Sequence, residues 1–318
     1  MKTKSKNCPG KSHREGISLI ELYDMFPDEP TAEKWFEDWK WGGEVVCPHC
    51  GSHNIKARKS RKPQPYWCRD CRKTFSVRVG TQMENSRIPL RKWAIGIYLY
   101  STSLNGVSSM KLHRDLKITQ KSAWFMLHRL REASGDIEVE PFSGPVEVDE
   151  TYMGGKRKNM SNSKRKNLTG RGPVGKTAVV GMKDREANEV RAKVVDKTDA
   201  ETLHPFIVKN VESDAMVYTD DAKAYDSLDF PHESVKHSVK EYVRDQAHTN
   251  GIESFWAMLK RGYHGTYHHM SKKHLNRYIK EFANRHNVRD LNTLDQMVKI
   301  ATNVTNSRLK FADLIAKN

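Results

Sequence analysis

The apolar positions of this chain change rhythm along its length. Over roughly 16–41, Leu19, Ile20, Leu22, Tyr23 and Phe26 predict a short helix. Thr31 then reads as the N-cap of a second helix, which carries the aromatic stripe Trp35, Phe36, Trp39 and Trp41. Between 87 and 134 three helical patterns follow one another. Pro89 opens the first, with Leu90, Trp93, Ala94, Ile97 and Tyr98 on one face. Ser108 opens the second and Thr119 the third, with Asn105-Gly106 and Lys117-Ile118 between them. Three short helices with a tight turn before the last have the layout of a helix-turn-helix. From about 143 the period shortens to two. PVEVDETYMGG, GKTAVVGMK, EVRAKVV, DAMVYTDD and SVKHSV read as five strands, with a helix in DAETLHPFIVKNV. Helical patterns return over 250–262 and 271–286, the latter with Leu275, Tyr278, Ile279, Phe282, Ala283 and His286 on one face. No internal repeat is present.

Composition narrows the classes. The chain has 318 residues, enough for two or three domains. Lys plus Arg is 55 against 39 Asp plus Glu, a net charge of +16, and the pI is about 9.5. Such a surface attracts polyanions, nucleic acid first among them. Mean hydropathy is −0.77. No apolar run approaches the roughly 18 residues of a membrane span, so a transmembrane protein is excluded. The basic N-terminus lacks the apolar segment of a secretory signal. One segment is strongly biased: 156–171 has seven Lys or Arg and no acid. It is too polar to pack and reads as a mobile loop able to touch DNA.

Five cysteines are an odd number, and four of them form two close pairs. This argues against a disulfide framework and for a reducing compartment with a metal site. Cys47-Pro-His-Cys50, a gap of 17 residues, then Cys68-Arg-Asp-Cys71 is the spacing of a zinc ribbon. Each two-residue spacer lets both thiolates of a pair reach one Zn²⁺, and Gly51 suits the turn after the first pair. A four-thiolate shell leaves no open position, so the zinc is expected to be structural. His49 and His53 are alternative ligands that this set does not need. Between the pairs, Lys56, Arg58, Lys59, Arg61 and Lys62, with Arg69 beyond, share the hairpin with Tyr66 and Trp67. They suit either phosphate contact or an ordinary solvated face, with Trp67 in the ribbon core.

Asp149 closes one strand pattern, Asp220 closes another 71 residues on, and Glu253 follows 33 residues later at a helix start. Two strand-end Asp and a helix Glu could hold two divalent ions for in-line phosphoryl transfer. Glu147, Glu150, Asp221 and Asp226 compete for the same roles. Asn250 and Glu253 also have the spacing of a helix capping box.

VEVDETYMGGK, VYTDDAKAY and HTNGIESFWAMLKRGYHGTYHHMSKKHLNRYIKEFANRHN together resemble the ribonuclease-H-like catalytic domain of insertion-sequence DDE transposases, specifically the ISXO-like group. The CPHC…CRDC ribbon and helical middle match that group's layout. The resemblance implies an α/β fold with a mixed sheet, an N-terminal zinc ribbon and a helix-turn-helix-like region. It implies Asp149, Asp220 and Glu253 as the acids that hold two Mg²⁺ (or Mn²⁺). Some relatives use an Asn near this point with a downstream Lys; Asn250 and Lys260 match them. Glu253 and Lys260, seven apart, share a helix face.

The expected organisation is a helical lead-in (1–44), the ribbon (45–83), the helix-turn-helix-like region (84–135), the catalytic domain (143–290) and a helical tail (291–318). The expected function is Mg-dependent cleavage and strand transfer of double-stranded DNA, at transposon ends and target, by a cytoplasmic, DNA-associated homo-oligomer. A DNA-binding regulator without catalysis, and a nuclease that does not join strands, are the alternatives.

Overall fold

The computed structural model describes residues 15–135, 140–155, 157–168, 173–235 and 248–316. The chain forms two compact units, one from residues up to Ser134 together with Val288 onward, the other from the stretch between.

The first unit opens with α1 (Leu19–Met25), closed at its start by a capping box in which Ser18 and Glu21 satisfy each other's backbone N–H groups. Next comes α2 (Glu29–Trp41). Its cap is Asp28; Thr31, expected in that role, instead donates its N–H and hydroxyl to Asp28 Oδ1 at 2.9 and 2.6 Å. The first sheet pairs β1 (Ile55–Ala57), β2 (Tyr66–Cys68) and β3 (Thr74–Phe75) in antiparallel order. Three helices follow: α3 (Leu90–Thr102), α4 (Ser109–Leu116) and α5 (Gln120–Ala133). Ser108 and Thr119 cap the last two by accepting the N–H of Lys111 and Ser122. Between them Lys117 takes the left-handed conformation, φ +47°. The core gathers Phe26, Phe36, Trp93, Ile97, Leu112 and Leu127. α5 is central to it: from Met126 to Arg131 every residue is buried, and only Gln120 and Lys121 are exposed.

The second unit is built on β4 (Val146–Met153), followed by the short α6 (Asn162–Lys166), β5 (Thr177–Asp184), β6 (Val190–Val195), α7 (Ala200–Asn210), β7 (Val217–Asp220) and β8 (His232–Val235). Then come α8 (Asn250–Gly262), one π-helical turn over Tyr263–Tyr267, and α9 (Lys272–Asn287). The expected fifth strand, 234–239, begins two residues earlier, and its last four residues lie outside the described residues, as do parts of the basic 156–171 segment. The sheet order is β6-β5-β4-β7-β8, antiparallel across the first three strands and parallel from β4 to β8. α7 seals one face with Leu203, Phe206 and Ile207 against Val146, Val148, Val180 and Met182. α8 and α9 seal the other with Ile252, Phe255, Trp256, Ile279 and Phe282 against Val179 and Val190. This mixed α/β arrangement is consistent with the ribonuclease-H-like class. Covering both faces has a consequence for β4. Its alternation suggests one wet face, yet Glu147 is only 1% exposed.

After α9 the chain re-enters the first unit through α10 (Thr293–Asn306) and α11 (Phe311–Ile315). Met297, Ile300, Ala301 and Val304 of α10 join the core of α2, α3 and α5. No helix among the described residues is long and apolar enough to cross a membrane.

Candidate active site and metal centre

The four cysteines converge. Their Sγ atoms all lie within 4.8 Å of one another, with Cys47–Cys71 at 3.7 Å and Cys50–Cys68 at 3.6 Å. A tetrahedron with Zn–S of about 2.3 Å has sulfur–sulfur edges of roughly 3.8 Å. A disulfide would need about 2 Å. The two knuckles share one backbone design. Cys47 N–H donates to Ser52 O, and Cys68 N–H donates to Lys73 O. Each turns on a left-handed residue, Gly51 (φ +74°) and Arg72 (φ +58°). The Cys71 backbone amide pulls the Cys68 thiol down to about 7, toward the thiolate a metal needs. The cluster fits a closed zinc site.

Around it, Tyr66 stacks on Phe75 at 5.6 Å, and Trp41 meets both edge-on. Tyr66, rather than Trp67, therefore packs into the ribbon. Trp67 is half-buried and pairs across the hairpin with exposed Lys56. Arg61 is tied to Glu33 at 2.5 Å, and His53 to Glu44 at 2.8 Å.

The second constellation sits where β7 ends. β4 and β7 are parallel with Val146 opposite Val217 and Glu147 opposite Tyr218. Continuing that register places Asp149 level with Asp220. Oxygens of Asp149, Asp220 and Glu150 lie within 4.8 Å of one another. Glu150 is thus part of the group. Period-two alternation sends it to the opposite face from Asp149, so pattern alone did not single it out. Its carboxylate accepts the Tyr225 hydroxyl. On the other face Trp256 of α8 donates its indole N–H to Asp149 Oδ2 at 3.0 Å. That approach needs a glycine beneath the ring. Gly181 is the β5 partner of Asp149, and a Cβ there would lie 2.5 Å from the Trp256 ring.

α8 begins at Asn250 with Thr249 as its cap residue, so Asn250 and Glu253 do not form a capping box. Asn250, Glu253 and Lys260 are all exposed on this helix. Glu253 stays outside the three-acid group, yet its charge acts on Asp149. Its Oε1 is 3.4 Å from the Thr249 hydroxyl.

Burial pushes Asp149 up to about 6, with Asp220 and Glu253 adding repulsion, and burial pushes Glu150 up to about 7. Both carboxyls lie above their ordinary values. The folded protein therefore holds protons that the unfolded chain releases between about pH 4 and 7. Their effect is least unfavourable below that window, and stability falls as pH rises through it. Without added divalent ions, Asp149→Asn is expected to be more stable than wild type at pH 8 by on the order of 2–3 kcal/mol. The advantage should vanish near pH 4. Thermal unfolding at the two pH values checks this; equal gains at both would contradict it.

Two family models match the chain: an ISXO2-like transposase domain over residues 141–287, and a transposase zinc-ribbon domain over 27–74. An "uncharacterized protein in transposable element ISH50" of Halobacterium salinarum is 32% identical over 276 residues, 83% of this chain and 92% of that protein. The chain belongs to the ISXO2-like transposase family. An "uncharacterized transposase-like protein" of Haemophilus influenzae is 33% identical over 118 residues, 35% of this chain and 94% of that one. The transposase-domain match contains Asp149, Glu150, Asp220 and all of α8. The ribbon match contains all four cysteines.

Proposed function

We propose that this transposase cleaves and joins DNA with Asp149 and Asp220 as its metal-holding pair. The observation that carries the reading is the convergence of Asp149 and Asp220 from two parallel strands, with Glu150 beside them. Hard carboxylate oxygens of this kind suit Mg²⁺ or Mn²⁺, which also keep water and substrate phosphate in their shell. Two ions bound there would activate a water or a 3′-OH and take up charge on the leaving oxygen.

In this reading Trp256 fixes one oxygen of Asp149 and leaves the other for metal. Glu253, Asn250 and Lys260 on the exposed face of α8 complete the site. Glu253 or Asn250 would supply a further ligand, and Lys260 a cation for DNA phosphate. Water cuts the strand at the element end, leaving a 3′-OH. That hydroxyl then attacks a target phosphodiester, forming the new joint and releasing a target 3′-OH. Catalysis is positioning plus charge stabilisation.

The zinc is structural, and the exposed cations of the ribbon hairpin and the first turn of α5 contact DNA phosphates at the terminal inverted repeats. The protein works in the cytoplasm on DNA as a homo-oligomer, since two ends must be processed.

Incubating the full chain with DNA carrying the inverted repeats that flank its coding region, plus Mg²⁺, should yield end-nicked and joined products. Binding without any cleavage would favour a regulator, and cleavage without joining a nuclease.

A further inference from the structure

Glu147 is a buried charge with its own set of partners. It lies in β4 two residues before Asp149, 1% exposed, on the face that α8 covers. Arg185 Nε donates to Oε1 at 2.8 Å, and His248 Nδ1 lies 3.2 Å from the same oxygen. The other oxygen, Oε2, accepts the backbone N–H of Ile252, in the first turn of α8, at 2.8 Å. Arg185 also donates to the His248 carbonyl at 2.6 Å, just before that helix begins. A carboxylate buried in a sheet face costs several kcal/mol unless it is paired and hydrogen-bonded; here both oxygens are used.

The helix turn is fitted to this carboxylate. A Cβ on Gly251 would come within 2.7 Å of Glu147 Oε2 and 3.0 Å of Lys183 Nζ. Gly251 therefore lets the backbone of the first turn settle onto Glu147. Asn250 and Glu253 flank the two anchored residues, Gly251 and Ile252. One turn further on, Trp256 reaches Asp149. The start of α8 is thus held to β4 at Glu147, and its next turn at Asp149.

We propose that Glu147, with Arg185, is a positioning residue for the metal site: it docks the first turn of α8 so that Asn250 and Glu253 stand beside the Asp149–Asp220 pair. It touches neither metal nor DNA and acts through the helix backbone. The inference rests on the metal reading above. It adds that a buried carboxylate outside the ligand set governs how well the ligands work. Groups that orient metal ligands typically change metal affinity about 10–100-fold when altered.

The test compares wild type, Glu147→Gln, Gly251→Ala and Asp149→Asn as full-length chains. Hydrogen exchange is read over 248–256, and Mn²⁺ affinity by electron paramagnetic resonance of free Mn²⁺. Glu147→Gln keeps the shape but removes the charge that pairs with Arg185. Gly251→Ala keeps every functional group and gains helix propensity, yet pushes the turn off the carboxylate. Should the first variant fail to fold, the second still decides.

Both variants are expected to speed exchange in the first turn of α8 and to weaken Mn²⁺ binding about tenfold or more. Faster exchange with Mn²⁺ affinity within twofold of wild type would overturn the inference, leaving Glu147 a purely structural anchor. Unchanged exchange would also overturn it. If Asp149→Asn binds Mn²⁺ as wild type does, the metal reading itself fails and takes the inference with it.

Discussion

Asp149→Asn and Asp220→Asn are each expected to lower strand cleavage a thousand-fold or more while leaving DNA binding intact. The two side chains converge from neighbouring parallel strands and supply the hard oxygens that a divalent ion needs. Asparagine keeps the shape but removes the charge. An ion in such a site supplies several kcal/mol of transition-state charge stabilisation. Each 1.36 kcal/mol is tenfold in rate, so losing about 4 kcal/mol is roughly a thousand-fold. Binding should survive because the ribbon-hairpin and α5 cations assigned to DNA contact lie outside this site, and Lys260 keeps its charge in both variants. Glu253→Gln should cost less than either Asp variant. Glu253 is exposed on α8 and outside the group of oxygens within 4.8 Å. Rates of end nicking beside gel-shift affinities for the same duplex check the pattern. Weakened binding in step with lost cleavage would point to misfolding instead.

Removing the zinc has the other large effect. The ribbon's own cluster is small: its fully buried members are Cys47, Cys68 and Phe75, two of them cluster cysteines, while buried Val77 packs into the helical core instead. Such a core cannot fold alone. Structural zinc contributes about 10–16 kcal/mol in zinc-finger peptides at neutral pH, far more than this packing could replace. Cys68→Ser is therefore expected to lose the metal and unfold 45–79. The second unit, with its separate core, should stay folded. Zinc analysis should find about one ion per wild-type chain, as a closed four-thiolate site predicts, and little or none in the variant. Limited proteolysis should show new cuts confined to the ribbon. A variant that resists proteolysis like wild type would show that packing, not zinc, holds the hairpins.

Much of this architecture was legible from local pattern. The two C-x2-C turns carry their geometry in four consecutive residues each, so spacing alone brings out the zinc cluster. Ser108 and Thr119 are capping signals that act within three residues of themselves. Other features depend on chain segments far apart. That α10 completes the first core follows from a return of the chain after α9, which no periodicity in 291–318 announces. Nor does the pattern of α5 show that neighbours enclose most of it. Its exposed residues, Gln120 and Lys121, are confined to the first turn.

The acids divide in the same way. Both Asp149 and Asp220 stand out in the sequence as strand-end acids, but only Asp220 ends its strand; Asp149 lies in the middle of β4, which continues to Met153. Glu150 and Glu147 look like ordinary alternating polar positions. Glu150 enters the site because β7 stops at Asp220 while β4 runs on to Met153. Glu147 is buried because α8 covers its face, with Gly251 and Gly181 giving the helix its close approach. Alternation reads which face a residue takes, not what covers that face.

The central claim is that Asp149 and Asp220 carry strand transfer. It is tested most directly with a pre-cleaved element end in Mg²⁺, offered with either a 3′-OH or a 3′-deoxy terminus. Wild type should join only the 3′-OH end to target DNA, and Asp149→Asn and Asp220→Asn should join neither. Joining by either variant at the wild-type rate would contradict the account.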